Sequence, residues 1–131
     1  MAANPIFPGT LRSPTAKLTS TALTTLFTPG ASGSKIESIS VTNKHTAAQT
    51  LTVYVTVGGT DYKVCTVSLT ANAGNVAGTY AINLLSTTYF PWARADEAGR
   101  TYMYLDGNAL LKGQLGSYGN DVEFFFQGAD F

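Results

Sequence analysis

Between Thr50 and Val57 the chain alternates hydroxyl-bearing and apolar residues: Leu51, Val53, Val55 and Val57 interleave with Thr50, Thr52, Tyr54 and Thr56. Alternation with period two puts the apolar set on one face of an extended strand and the hydroxyls on the other. The run stops at Gly58-Gly59-Thr60-Asp61, and a second β-branched segment, residues 62–69, follows at once. Two such segments around a glycine pair predict a β-hairpin. Upstream, residues 35–43 predict a third strand with Ile39 and Val41 on one face.

The same pattern recurs along the chain. Residues 22–28 predict a short strand with Leu23 and Phe27 inward, and residues 80–85 resume an apolar pattern. Residues 101–105 set Met103 and Leu105 against Tyr102 and Tyr104. Asp106-Gly107-Asn108 is a turn signal, and residues 109–115 continue as a strand. Residues 121–127 close the set with Val122, Phe124 and Phe126 on one face and Phe125 on the other. Residues 86–99 read as a long irregular excursion, and a short helix around residues 84–88 is compatible with it. About eight strands at short spacing, with turn chemistry between them, predict an all-β antiparallel β-sandwich, jelly-roll-like.

Residues 1–20 differ from the rest. Pro5, Pro8 and Pro14 remove backbone donors, and Gly9 and Ser13 loosen what lies between. Ile6, Phe7 and Leu11 are nevertheless apolar. The expectation is an extended N-terminal arm over residues 1–20 and one β-sandwich domain over residues 21–131. The arm's apolar side chains need cover, from its own domain or from a neighbouring subunit.

A chain of 131 residues can bury a core without metal or disulfide help. Eight basic and eight acidic residues cancel, and Arg12, Lys17, Lys35, Lys44, Lys63, Arg94, Arg100 and Lys112 are scattered. That distribution gives no basic track for nucleic acid. Weak self-repulsion at zero net charge instead suits life in an assembly. Cys65 is the sole cysteine, so no internal disulfide forms. The first residues lack a basic segment followed by an apolar run, so no secretory signal is expected. The uncharged stretch 64–93 is broken by Ser, Thr, Asn, Gly and Pro and does not predict a membrane helix. These features suit a soluble product of a reducing cytoplasm.

Catalytic chemistry finds little to work with. His45, the only histidine, sits in a polar turn beside Lys44, where a solvated ring is expected rather than a general base. Cys65 shares a strand face with Val67 and Leu69 and reads as a small hydrophobe rather than a nucleophile. Asp96 and Glu97 are neighbours in a loop, and Asp61 and Asp106 fall in turns that favour Asp for backbone reasons. No spacing matches a zinc site, a calcium loop or a phosphate-cradling glycine loop. The expectation is therefore no enzyme, no metal and no cofactor. The aromatics carry three readings. Tyr54 and Tyr62 lie near the hairpin, and Tyr89, Phe90 and Trp92 crowd one loop. They can cover an open end of the core, anchor a protein interface or stack on sugars.

Several phrases together resemble a known class. Asn4-Pro5-Ile6-Phe7-Pro8, the run from Ala31 to Asn43, the hairpin 51–69 and the ending Phe126-Gln127-Gly128-Ala129-Asp130-Phe131 are similar to small virion proteins of tailed bacteriophages. The resemblance covers most of the chain and implies a capsid cement or decoration protein. Such a protein is made in the host bacterial cytoplasm and binds the major capsid protein on the outside of the shell, as a homodimer or trimer. Neither nucleic acid nor membrane is a direct partner. The contacts are then expected from Ile6, Phe7 and Leu11 in the arm and from Tyr89, Phe90 and Trp92 in the loop. The competing expectation is a tail- or fibre-associated β-sandwich module that binds host glycans.

Overall fold

A computed structural model describes residues 10–116 and 121–131. Among them the chain forms eleven strands: β1 (Thr10–Arg12), β2 (Thr15–Leu18), β3 (Thr24–Phe27), β4 (Ser34–Asn43), β5 (Gln49–Val57), β6 (Thr60–Leu69), β7 (Ile82–Asn83), β8 (Arg94–Ala95), β9 (Thr101–Leu105), β10 (Ala109–Leu115) and β11 (Val122–Asp130). The fold is all-β, in two antiparallel sheets. One runs β1-β11-β4-β9-β8, with β2 also on β11 and β7 also on β4; the other runs β3-β10-β5-β6.

The hairpin of β5 and β6 forms as the pattern predicts. Val57 pairs with Thr60, leaving Gly58 and Gly59 as a two-residue loop with φ of 60° and 81°. Left-handed backbone at both central positions is what a type I′ turn requires, and glycine adopts it without steric cost. On β11 the alternation also holds: Val122, Phe124 and Phe126 are buried and Phe125 is exposed. Phe126 meets Phe27 of the other sheet with ring centroids 5.3 Å apart, so both sheets feed one core. Burying each such ring contributes about 2–3 kcal/mol.

Three bulges break the period-two rule and explain where the sequence pattern misleads. Ile36 pairs with Gly128 and Ser38 with Gln127, so Glu37 is an extra residue. The slip lets both Ile36 and Ile39 face the core. Gly128 is obligatory there, because a Cβ would stand 2.1 Å from the Lys35 carbonyl oxygen. On β3, Phe27 pairs with Leu111 and Thr25 with Lys112, leaving Leu26 extra. Leu26 and Phe27 are both buried, whereas Leu23, expected inward, is only partly covered. On β6 the extra residue is Val64. Past that slip the faces of β5 exchange character: Thr56 is buried with its hydroxyl donating to Asp61, and Val57 is 44% exposed.

Three further expectations change. Residues 10–18 of the expected arm belong to the seven-stranded sheet, where β1 and β2 pair with β11 and Leu18 is fully buried. Pro14 separates the two short strands yet stays in register, its carbonyl accepting the Phe126 N–H at 2.9 Å. In the segment 80–85 only Ile82 and Asn83 form a strand, and Tyr80 is 87% exposed. Residues 84–88 form no helix; a single turn closes where the Phe90 N–H donates to the Ser86 carbonyl at 2.8 Å.

Candidate interaction surfaces

The residues expected to make contacts divide among three environments. Ile6 and Phe7 lie outside the described residues. Phe90 is fully buried, which corrects its expected role as a surface contact. The turn begun at Ser86 drives its ring into the core, where it meets Trp92 edge-on at 5.4 Å. Tyr89 is partly buried against the same core. Trp92 is 41% exposed and shares an open apolar depression of about 560 Å3 with Val55, Tyr62, Val64, Pro91 and Leu105. The loop thus covers the core with Phe90 and offers surface with Trp92. Tyr62, on β6, is 58% exposed.

Leu11, 87% exposed, belongs to a second surface that register makes visible. Leu11 pairs with Ala129, Ala129 with Lys35, and Lys35 with Tyr104. Directly opposed residues share a face, so these four form one row across β1, β11, β4 and β9, on the side away from the core. Tyr104 is 48% exposed, and its ring lies 5.4 Å from Tyr102 and 5.7 Å from Phe131. The Lys35 ammonium sits 4.7 Å from the Tyr102 ring centroid, within cation–π range. At the end of this row lies a depression of about 760 Å3, lined by Ala31, Ser32, Gly33, Tyr104, Leu105, Asp106, Gly107 and Phe131. Tyr104 and Phe131 were not among the residues expected at a contact surface. The alternation of Tyr102 and Tyr104 against Met103 and Leu105 was the signal that placed Tyr104 outward.

Directly behind this row is a charged clamp. Arg12 Nη1 donates to Asp130 Oδ1 at 2.9 Å and to the Thr28 carbonyl at 2.9 Å, and its guanidinium lies 4.9 Å from the Phe27 ring centroid. Ser34 Oγ donates to the same carboxylate oxygen at 2.5 Å. Burial would raise the pKa of Asp130, but the hydrogen bonds from Ser34 and Arg12 and the Arg12 charge outweigh it and hold the carboxyl below its ordinary value. The clamp ties β1, β11, β4 and the end of β3 together beneath the exposed row.

A third feature is a polar cleft of about 510 Å3 on the seven-stranded sheet. Its charges are paired: Lys35 with Glu37 at 3.3 Å and Arg100 with Asp96 at 2.9 Å. The backbone N–H of Arg100 lowers the pKa of Asp96 most, with burial opposing and the Arg100 side chain adding to the drop. Asn83, Ser38, Gln127 and Thr101 supply uncharged donors and acceptors beside Tyr102.

Elsewhere, His45 Nδ1 accepts the Ala47 N–H at 3.0 Å in the turn after β4. Burial pushes the Cys65 thiol up to about 11, leaving little thiolate at neutral pH. Among the described residues no group of three or more His, Cys, Asp and Glu side chains could hold a metal ion. No described helix is long and apolar enough to cross a membrane. Comparison with protein-family models, with curated proteins and with solved structures finds no match for this chain.

Proposed function

We propose that the chain is a structural virion protein that binds the outside of a bacteriophage capsid, through the major capsid protein, and stabilises the shell as a cement or decoration protein. The observation that carries this reading is the apolar surface left in water around Leu11, Tyr104, Tyr62 and Trp92. Apolar surface of that kind, rimmed by polar residues, marks contact with another macromolecule. The resemblance of the hairpin and terminal phrases to phage virion proteins supplies the partner. In this reading the scaffold is a jelly-roll-like β-sandwich, supported by the core that both sheets share.

The work is mechanical. Each copy adds buried area that must be lost before the shell opens, and symmetry repeats a modest contact many times. The chain acts as a dimer or trimer at the virion surface, with no reacting group and no direct contact to DNA or membrane. Adding the purified chain to shells assembled without it tests this: the heat or osmotic stress needed to open them should rise in proportion to occupancy. Full occupancy with an unchanged threshold would remove the stabilising role.

The polar cleft favours a second reading, a tail- or fibre-associated module that binds host glycans. Its self-paired charges leave amides and hydroxyls facing solvent beside Tyr102, which is chemistry suited to a neutral polyhydroxyl ligand. Binding of the chain to glycans on host cells, and not to shells, would select that reading.

A further inference from the structure

Strand β6 ends its sheet. The order β3-β10-β5-β6 pairs β6 with β5 on one side, and among the described residues no strand takes the other side. Such an edge carries backbone N–H and C=O groups that a further strand can pair. Val57 and Thr60 flank the two-residue loop as a hydrogen-bonded pair, and alternation makes Val55 and Tyr62 the next one. Asp61 and Lys63 therefore turn their N–H and C=O groups to the open edge.

The side chains along this edge are matched to a partner. Tyr62 is 58% exposed and shares the apolar depression with Val55, Val64, Pro91, Trp92 and Leu105. Lys63 is exposed and, among the described residues, has no acidic partner. Asp61 accepts from the Thr56 hydroxyl and lies 3.8 Å from the Lys112 ammonium, both through Oδ1. Edge strands are guarded against chance pairing by lysines and bulges. β6 carries both, at Lys63 and Val64. The bulge confines added pairing to residues 60–63, and the lysine requires a carboxylate opposite it.

β6 itself meets that requirement. A two-fold axis through Tyr62 sets Asp61 of each copy opposite Lys63 of the other. An axis through Asp61 or through Lys63 would set like charges directly opposite, which destabilises a strand pair. An axis beyond Val64 would set bulge against bulge and leave both charges without opposites.

We infer that the open edge of β6 over residues 60–63 is a docking site for the same segment of a second copy, paired antiparallel about an axis at Tyr62. Each Asp61–Lys63 pair exchanges backbone hydrogen bonds and an ion pair. The two Tyr62 rings meet across the axis and cover the mouths of the two depressions. The two-fold contact uses up the edge on both copies, so assembly stops at a dimer. This pairing sharpens the dimer of the shell-protein reading, but it is tested on the free chain, without shells.

Sedimentation of the native chain should show a dimer. Lys63→Asp and Asp61→Lys should each weaken it by about tenfold or more, because each sets like charges opposite. An equal mixture of the two variants should dimerise with native affinity, since every acid then meets a base. Tyr62→Cys in a Cys65→Ser background tests the axis without changing charge. Cα atoms opposed in a non-hydrogen-bonded pair are about 4.5 Å apart, inside the disulfide range of about 4.4–6.8 Å. Oxidation should therefore link two such chains, whereas Tyr80→Cys in the same background, 87% exposed at that site, should not link. A native chain that stays monomeric up to its solubility limit contradicts the proposal. A dimer unchanged by Lys63→Asp and not linked through Tyr62→Cys forms elsewhere and overturns the site. Shell binding by a monomeric chain would overturn the edge pairing alone; a linked dimer that binds no shell would remove the capsid role and leave the pairing standing.

Discussion

The two ends of β4 are closed by opposite kinds of chemistry. At Ser34 the closure is ionic: Arg12, Asp130 and Ser34 meet, partly open to solvent, beneath the exposed row of Leu11 and Tyr104. At Asn43, roughly 30 Å away along the strand, the closure is neutral and fully buried. Asn43 Nδ2 donates to the carbonyls of Ala47, Leu69 and Thr70, while its Oδ1 accepts the His45 N–H and Gln49 Nε2. The bonds that Asn43 makes at this end involve neutral groups only. The ionic end stays partly wet and adjoins the apolar surface. One end is sealed within the fold and the other stays partly open to solvent.

Removing the neutral closure should have the largest effect. Asn43→Ala removes the side-chain bonds to Gln49 Nε2, to the His45 N–H and to the Ala47, Leu69 and Thr70 carbonyls, and should destabilise the fold by roughly 2–4 kcal/mol in urea titrations. An unchanged urea midpoint would contradict the structural role of this closure. Asp130→Asn should cost about 1–2 kcal/mol at pH 7, since it weakens charge-assisted hydrogen bonds at a partly exposed site. The pH dependence follows from the lowered pKa of Asp130. A depressed carboxyl stabilises the fold fully above its unfolded value of 3.8, and that contribution is lost as pH falls through the lower folded value. Denaturation of the native chain between pH 5 and 2 should therefore fall more steeply than that of Asp130→Asn. Parallel curves would show that the clamp does not carry the acid limb.

Substitutions in the exposed row should barely touch folding. Leu11→Ser should change stability by no more than about 0.5 kcal/mol, because the side chain is already in water, while weakening contact with partners. A larger destabilisation would mean that the row is structural. Smallest of all, Lys17→Gln removes a surface pair with Glu123 at 3.2 Å and should shift stability by less than about 0.5 kcal/mol in the same titration.

Much of the fold was legible because strict alternation survives where a strand meets its neighbours without slips. The hairpin with Gly58 and Gly59 and the β11 faces follow directly from it. The bulges at Leu26, Glu37 and Val64 were not legible, since an inserted residue shifts the faces of a strand without any residue type that marks it. Strands β1 and β2 were hidden by Pro14, which sequence reasoning reads as loop although an edge strand tolerates it. Candidate contact residues were half legible. Leu11 and Trp92 lie at the surface, but the burial of Phe90 depends on a turn at Ser86 that no local pattern announces. Phe131 joins Tyr104 only through pairing between residues distant in sequence.

The most direct test is occupancy of shells assembled without this protein, measured for the native chain and for the double variant Leu11→Ser, Tyr104→Ser at matched stability. If the apolar row of the seven-stranded sheet is the working surface, the native chain saturates the shells and the variant needs at least tenfold more protein to reach half occupancy. Identical binding curves would contradict it.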